Sequence, residues 1–409
     1  MAKKHNKCLY FPKLHLRHLL FLFFVILSCI KKGVQIYFEN NQKIAIEFLK
    51  LYMYDVGDFL TIIPLIIMKK RMNNKKRGER LNPTASNNSL KFIYTNQIEN
   101  KNNCSLIRNI FIFALVDFIA QISPVIYYVV KEDERLVVKQ ANLICTLIFN
   151  IIFVIIFSVL ILHTNFYRHH LFAFSIDIVI VIILTTFELT NLFKEAEENI
   201  GMSIIYIVIK ILSVILYSLE NVLAKYMFLY NFLSTFALLV NKSIYHFIYL
   251  IIFSFPFIFK EIQIKDGESR NIFSMIGEIF DDKKYYFIVI IYTIISFLYN
   301  NVSNKIIDVF SPNHYANAKV LENIGIFVMD LIINGVDSSA NLILRIIMFI
   351  LLILSACIFN EFLIINICGL SKNTKLFLDY EAKKERKKEK LNEDLELEES
   401  DISNITLDF

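Results

Sequence analysis

The sequence predicts an all-α membrane protein of about ten transmembrane helices in a 5+5 inverted repeat, and three observations carry that prediction. Apolar residues make up 56% of the 409-residue chain and the mean hydropathy is +0.52, beyond the range of an ordinary soluble domain. Nine glycines and six prolines are too few to break so apolar a chain into short pieces. The apolar runs recur at lengths near the roughly 20 residues of one bilayer crossing. In hydrocarbon every backbone polar group must be satisfied within the chain, so such runs cross as helices.

The first run, residues 19–38, follows Lys3, Lys4, Lys7, Lys13 and Arg17. It resembles a signal-peptide core, but Lys31-Lys32 stands where a small-x-small cleavage site would follow, so it reads as a span. The lack of Asp and Glu before Glu39 also permits an organelle-targeting reading. Further spans are expected at 47–68, 106–130, 136–162, 171–193, 200–223, 230–259, 285–302, 314–333 and 342–367. Residues 72–104 are polar and low in complexity, which predicts a disordered cytoplasmic loop. Lys and Arg in the tails and even-numbered turns outnumber those on the other side by about two to one, which places both termini in the cytoplasm. Five spans per half force the second half to enter from the opposite face, the inverted-repeat arrangement of many secondary transporters. The repeats are 1–199 and 200–370, followed by a charged cytoplasmic tail, 371–409.

Composition excludes several other classes. The net charge of +5 comes from basic residues beside apolar runs, as membrane orientation requires, and not from a nucleic-acid-binding face. Cys8, Cys29, Cys104, Cys145, Cys357 and Cys368 are scattered, with no zinc or disulfide spacing. No Gly-rich phosphate loop, GxSxG or HExxH is present, so neither a soluble-enzyme site nor a cofactor is expected.

Ionisable groups inside the runs mark a site or pathway, because each costs a few kcal/mol to insert. Asp117 and Gln121 are four apart and share a helix face. Asp55 and Asp58, also on one face, need a partner or a proton, which makes them candidates for proton coupling together with Asp330. Lys210 requires a cross-helix partner, Asp117 or Asp330. Lys319 and Glu322 are three apart on the run that also carries Asp330. Asn300, Asn301, Lys305 and Lys319 form a set that would attract and hydrogen-bond an anionic cargo. The opposing expectation has Lys305 and Lys319 reaching a membrane face. His246, five residues after Asn241, supports a rival reading as a membrane-embedded lipid-modifying enzyme such as an acyltransferase; a scaffold acting through its charged tail is a third.

Several motifs resemble the drug/metabolite transporter superfamily, in particular the nucleotide-sugar-transporter-like solute carriers (family 35-like). Leu51-Tyr-Met-Tyr-Asp-Val-Gly-Asp58 resembles the family's second span, and Phe113-Ala-Leu-Val-Asp117-Phe-Ile-Ala-Gln121 its third. Asn150 and the stretch from Ser158 to His163 fall where the family has its fourth. Val222-Leu-Ala-Lys225 is similar to the start of the second repeat, and Asn300-Asn301-Val-Ser-Asn-Lys305 with Ser311-Pro312 to the eighth-to-ninth junction. The chain departs from the pattern at Leu223-Ala224, where the family has an acidic pair, and at Tyr315 and Lys319-Val320, where it has Arg and Asp-Ser. The resemblance implies a transporter and not an enzyme, a small-molecule substrate such as a nucleotide sugar or other organic anion, and an endomembrane address (Golgi/ER or vesicular) rather than the plasma membrane. The lipid bilayer is the expected partner, and homodimerisation is left open.

Overall fold

The computed structural model describes residues 9–10, 16–39, 43–81, 103–130, 144–195, 200–259, 261–263, 269–281, 283–321 and 339–365, with short pieces beyond 370. The described chain is helical almost throughout. In order run α1 (Leu16–Glu39), α2 (Lys43–Leu60), α3 (Ile62–Leu81), α4 (Asn103–Val130), α5 (Ile144–Leu162) and α6 (Arg168–Glu195). They are followed by α7 (Ile200–Tyr230), α8 (Thr235–Phe259), α9 (Ile272–Asp281), α10 (Lys283–Val309), α11 (Pro312–Val320) and α12 (Ser339–Phe359). Short strands β1 (Leu9–Tyr10), β2 (Glu261–Gln263), β3 (Ser269–Asn271) and β4 (Ile364–Ile365) pair antiparallel as β1–β4 and β2–β3.

Among the described residues, six stretches are long and apolar enough to cross a membrane: Phe48–Arg71, Ser105–Ser123, Arg168–Thr186, Ile207–Tyr230, Thr235–Pro256 and Tyr285–Val309. Three shorter apolar helical stretches, Leu19–Lys31, Phe149–Leu162 and Ile346–Phe359, coincide with expected spans. The ninth expected span begins as α11, and its remainder, 322–333, lies outside the described residues. The outer surface has the chemistry of a lipid-facing one. Ile251, Ile252 and Phe255 on α8 and Phe287 on α10 are 63–67% exposed, side chains that hydrocarbon solvates better than water.

The second span is interrupted at Thr61 between α2 and α3. Pro64 has no N–H to donate to Leu60, and its ring crowds that carbonyl. The helix therefore tightens at Thr61, where Thr61 N donates to Asp58 O (3.1 Å), and resumes with Leu65 N donating to Thr61 O (3.2 Å). The expected disordered loop at 72–104 is corrected at both ends: α3 stays helical to Leu81 and α4 begins at Asn103. Met, Lys, Arg and Glu in 68–81 are good helix formers, and low complexity does not oppose a helix. Residues 82–102 lie outside the described residues.

The junction after α10 is fixed by capping. Ser311 is the N-cap of α11, its hydroxyl accepting from His314 N, and Pro312 takes the first helical position, where its missing N–H costs nothing. Lys225 on α7 donates to Asp308 O (2.7 Å) and Phe310 O (3.2 Å), satisfying carbonyls that the end of α10 leaves without helical partners.

The chain divides into two compact units. The larger comprises Leu14–Thr164 and Ile178–Leu352. In it α4 and α5 pack on α7, α1 and α2 on α10, α2 and α4 on α8, and α11 on α5. Small polar groups join helices here, as is usual where lipid supplies no hydrophobic drive: Ser213 Oγ donates to Ala120 O (2.9 Å) and Ser218 Oγ to Asn150 Oδ1 (2.7 Å). In the smaller unit the start of α6 meets the end of α12. Ser355 Oγ donates to Ala173 O (3.0 Å), and Ala173 packs with Ile358, Phe359 and Leu363.

Candidate functional site

Helix α8 contributes two charged side chains to the interior. Ser234 caps its start, accepting from Ala237 N (3.2 Å). Lys242 and His246, one turn apart, then project from one face. Helix α2 meets this face with Asp55 and Asp58, three apart. The two helices run antiparallel, and three rungs join them: Tyr52 to Ser254 (2.6 Å), Asp55 Oδ1 to His246 Nδ1 (2.9 Å), and Asp58 Oδ2 to Lys242 Nζ (2.9 Å). Asp55, Asp58, Asp117, Lys242 and His246 are all at most 1% exposed. Charges so deep persist only when paired and hydrogen-bonded.

Asp117 of α4 ties the two rungs together. Its Oδ2 lies 2.8 Å from Lys242 Nζ and 3.4 Å from His246 Nε2. Gln121, one turn on, donates to Asp117 Oδ1 (3.0 Å), and Asn300 of α10 donates to Asp58 Oδ1 (2.6 Å). His246 Nε2 also lies 2.9 Å from Ala114 O. Four helices thus converge on one ion network. Glu220, buried on α7, is within electrostatic reach of Asp117, Lys242 and Lys319.

Beside the network runs a row of alternating lysines and tyrosines. Lys242 Nζ lies 5.0 Å from the Tyr54 ring centre and Lys31 Nζ 5.1 Å from the same ring. Lys31 also sits 4.1 Å over Tyr299, whose hydroxyl is 3.3 Å from that of Tyr315. Lys319 lies 6.0 Å from the Tyr315 ring and 5.2 Å from Tyr217. Ammonium groups over aromatic faces at these distances are attracted by the ring quadrupole. Tyr54 and Tyr217 are half-buried.

The network gathers Asp55, Asp58, Asp117, Gln121 and Asn300, and Lys319 joins the lysine–tyrosine row. The pairing that Asp55 and Asp58 require is supplied by α8. Asp117, expected as a partner for Lys210, is engaged by Lys242 and His246; Lys210 is half-buried on α7. Lys305 is half-exposed and pairs with Asp308 of its own helix (2.7 Å), apart from the buried network. Asn301 donates to Phe297 O (2.7 Å) and Thr61 Oγ1 (3.3 Å). Glu322 and Asp330 lie outside the described residues. Asn241 donates to Ala237 O of its own helix (2.7 Å), so its amide is turned into the helix backbone.

The sequence does not single out Lys242 as a site residue, and it offers no charge partner for His246. The signal that finds them is the i, i+4 spacing of two basic groups on an apolar helix, set against two carboxylates at i, i+3 on another. No family model matches the chain, and no curated protein matches it.

Proposed function

We propose that the chain is a secondary transporter that carries a small organic anion across a membrane by alternating access. The observation that carries this reading is a symmetry in the helix pairings. Let each helix of the first half exchange with its counterpart: α1 with α7, α2 with α8, α4 with α10, α5 with α11 and α6 with α12. The α1–α10 and α1–α11 pairs then become α7–α4 and α7–α5, and α2–α10 becomes α8–α4. The α2–α8, α5–α11 and α6–α12 pairs map onto themselves. The matched pairings are those that two five-helix repeats exchanged by a two-fold axis would make, and although α7–α10 stands without an α1–α4 counterpart among the described residues, they support the ten-span, 5+5 reading and the rocking motion that goes with it.

The lysine–tyrosine row supports the anionic cargo. Lys31 and Lys319 supply positive charge along one path, with Lys242 committed to Asp58 and Asp117 at its end, and the tyrosines supply ring faces and hydroxyls. A nucleotide sugar is favoured by the resemblance, and Tyr315 and Lys319, where the chain departs from the family pattern, are members of this row. Thermal unfolding of the purified protein against nucleotide sugars, nucleotides, amino acids and small organic acids tests the reading. A bound cargo raises stability by about 2.7 kcal/mol at a hundredfold excess over Kd. Stabilisation by an organic anion, reduced in Lys319→Met, supports the proposal; a silent panel with folded protein overturns it.

A further inference from the structure

Both nitrogens of the His246 ring face acceptors. Nε2 lies 2.9 Å from Ala114 O, and a backbone carbonyl can only accept, so Nε2 carries a hydrogen. Nδ1 lies 2.9 Å from Asp55 Oδ1. Were Nδ1 bare and Asp55 ionised, a lone pair would oppose a carboxylate oxygen at hydrogen-bonding distance between two side chains that are at most 1% exposed. The observed contact therefore holds a second proton, shared between His246 and Asp55.

We infer that the His246–Asp55 pair is a proton-binding site, and that its proton latches α2 to α8 and serves as the coupling ion of the transporter; the coupling rests on the transport reading above. The step is balanced. One H⁺ leaves the pair, His246 becomes a neutral imidazole keeping its Nε2 hydrogen on Ala114 O, and Asp55 remains a carboxylate. The rung then changes from an attraction to a repulsion. Because α2 and α8 are the counterpart helices of the two halves, loss of that rung loosens the seam on which the halves would rock.

The groups facing His246 account for its responsiveness. Asp55 comes from α2 and Asp117 from α4, with Lys242 on its own helix and the Phe118 ring 5.7 Å away. Asp58 and Tyr54 of α2, Asn300 of α10 and Glu220 of α7 act at one remove, around Lys242. Lys242 is held by two carboxylates, so the second rung persists when the first releases its proton. The network is built to change charge at one position while the other keeps the helices aligned.

The test needs no cargo. Protein labelled with ¹⁵N-histidine is placed in lipid nanodiscs, with His246 signals assigned by their loss in His246→Gln. In parallel, spin labels at Val56 and Ile248, exposed on α2 and α8, report the interhelical distance in a cysteine-free background. The expected result is a doubly protonated His246 that loses one proton as pH rises, with the distance lengthening in the same step. Asp55→Asn should abolish the distance change, because an amide N–H can hold a neutral Nδ1 at every pH. If His246→Gln does not fold, the distance titration of the wild-type and Asp55→Asn proteins still decides. A single protonation state throughout, or a distance that ignores pH, overturns the proposal even if the cargo panel responds. A moving latch with a silent panel would sink the transport reading and leave the proton site.

Discussion

Gly57 of α2 lies so close to α10 that a Cβ built on it would stand 3.0 Å from Phe297 N and 3.2 Å from Thr293 O. Both neighbours are backbone and cannot rotate away. Gly57→Ala should therefore force the helices apart and lengthen the Asn300–Asp58 hydrogen bond one residue on. Overpacking of this kind costs about 1–3 kcal/mol, and thermal unfolding in detergent should register it as a lowered midpoint; an unchanged midpoint would show that the seam can relax.

Removing Lys242 should be more damaging than removing either carboxylate it holds. Lys242→Met strands Asp58 and Asp117 together in the interior, and breaking a buried pair on one side costs about 3–5 kcal/mol. Adding Asp117→Asn to Lys242→Met should recover part of that loss. A double-mutant cycle read by thermal unfolding gives the coupling, and strict additivity would mean that the 2.8 Å contact carries no energy.

Lys31→Met and Lys319→Met act on the lysine–tyrosine row without touching the His246 rung. Each is expected to weaken binding of the stabilising anion about tenfold, or roughly 1.4 kcal/mol, while the pH response of the α2–α8 distance stays as in the wild type. Ligand-dependent unfolding curves separate the two effects, and equal affinity in all three proteins would exclude the row as the binding surface.

Topology can be read with a single substitution. Gly267→Asn creates the sequence Asn-Glu-Ser in the segment between α8 and α10, on the face opposite the termini in the proposed orientation. Expression in a glycosylating host should shift this variant on a gel and leave the wild type unshifted, since the same orientation would put Asn87, Asn103, Asn241, Asn301 and Asn404 in cytoplasmic or membrane segments. Glycan on the wild type would invert the orientation.

The sequence by itself determined the helices, because apolar run length and the demand for internal backbone hydrogen bonds act locally. It also marked the junction at Ser311-Pro312 and the carboxylates that needed partners. Only the tertiary structure decided who those partners are. Asp117 finds Lys242, 125 residues away, and Asp58 finds both Lys242 and Asn300, because a buried charge is satisfied by whatever the packing of α2, α4, α8 and α10 brings within 3 Å. Periodicity fixes which face a residue occupies. It is silent on which helix that face will meet, and the function proposed here resides in that meeting.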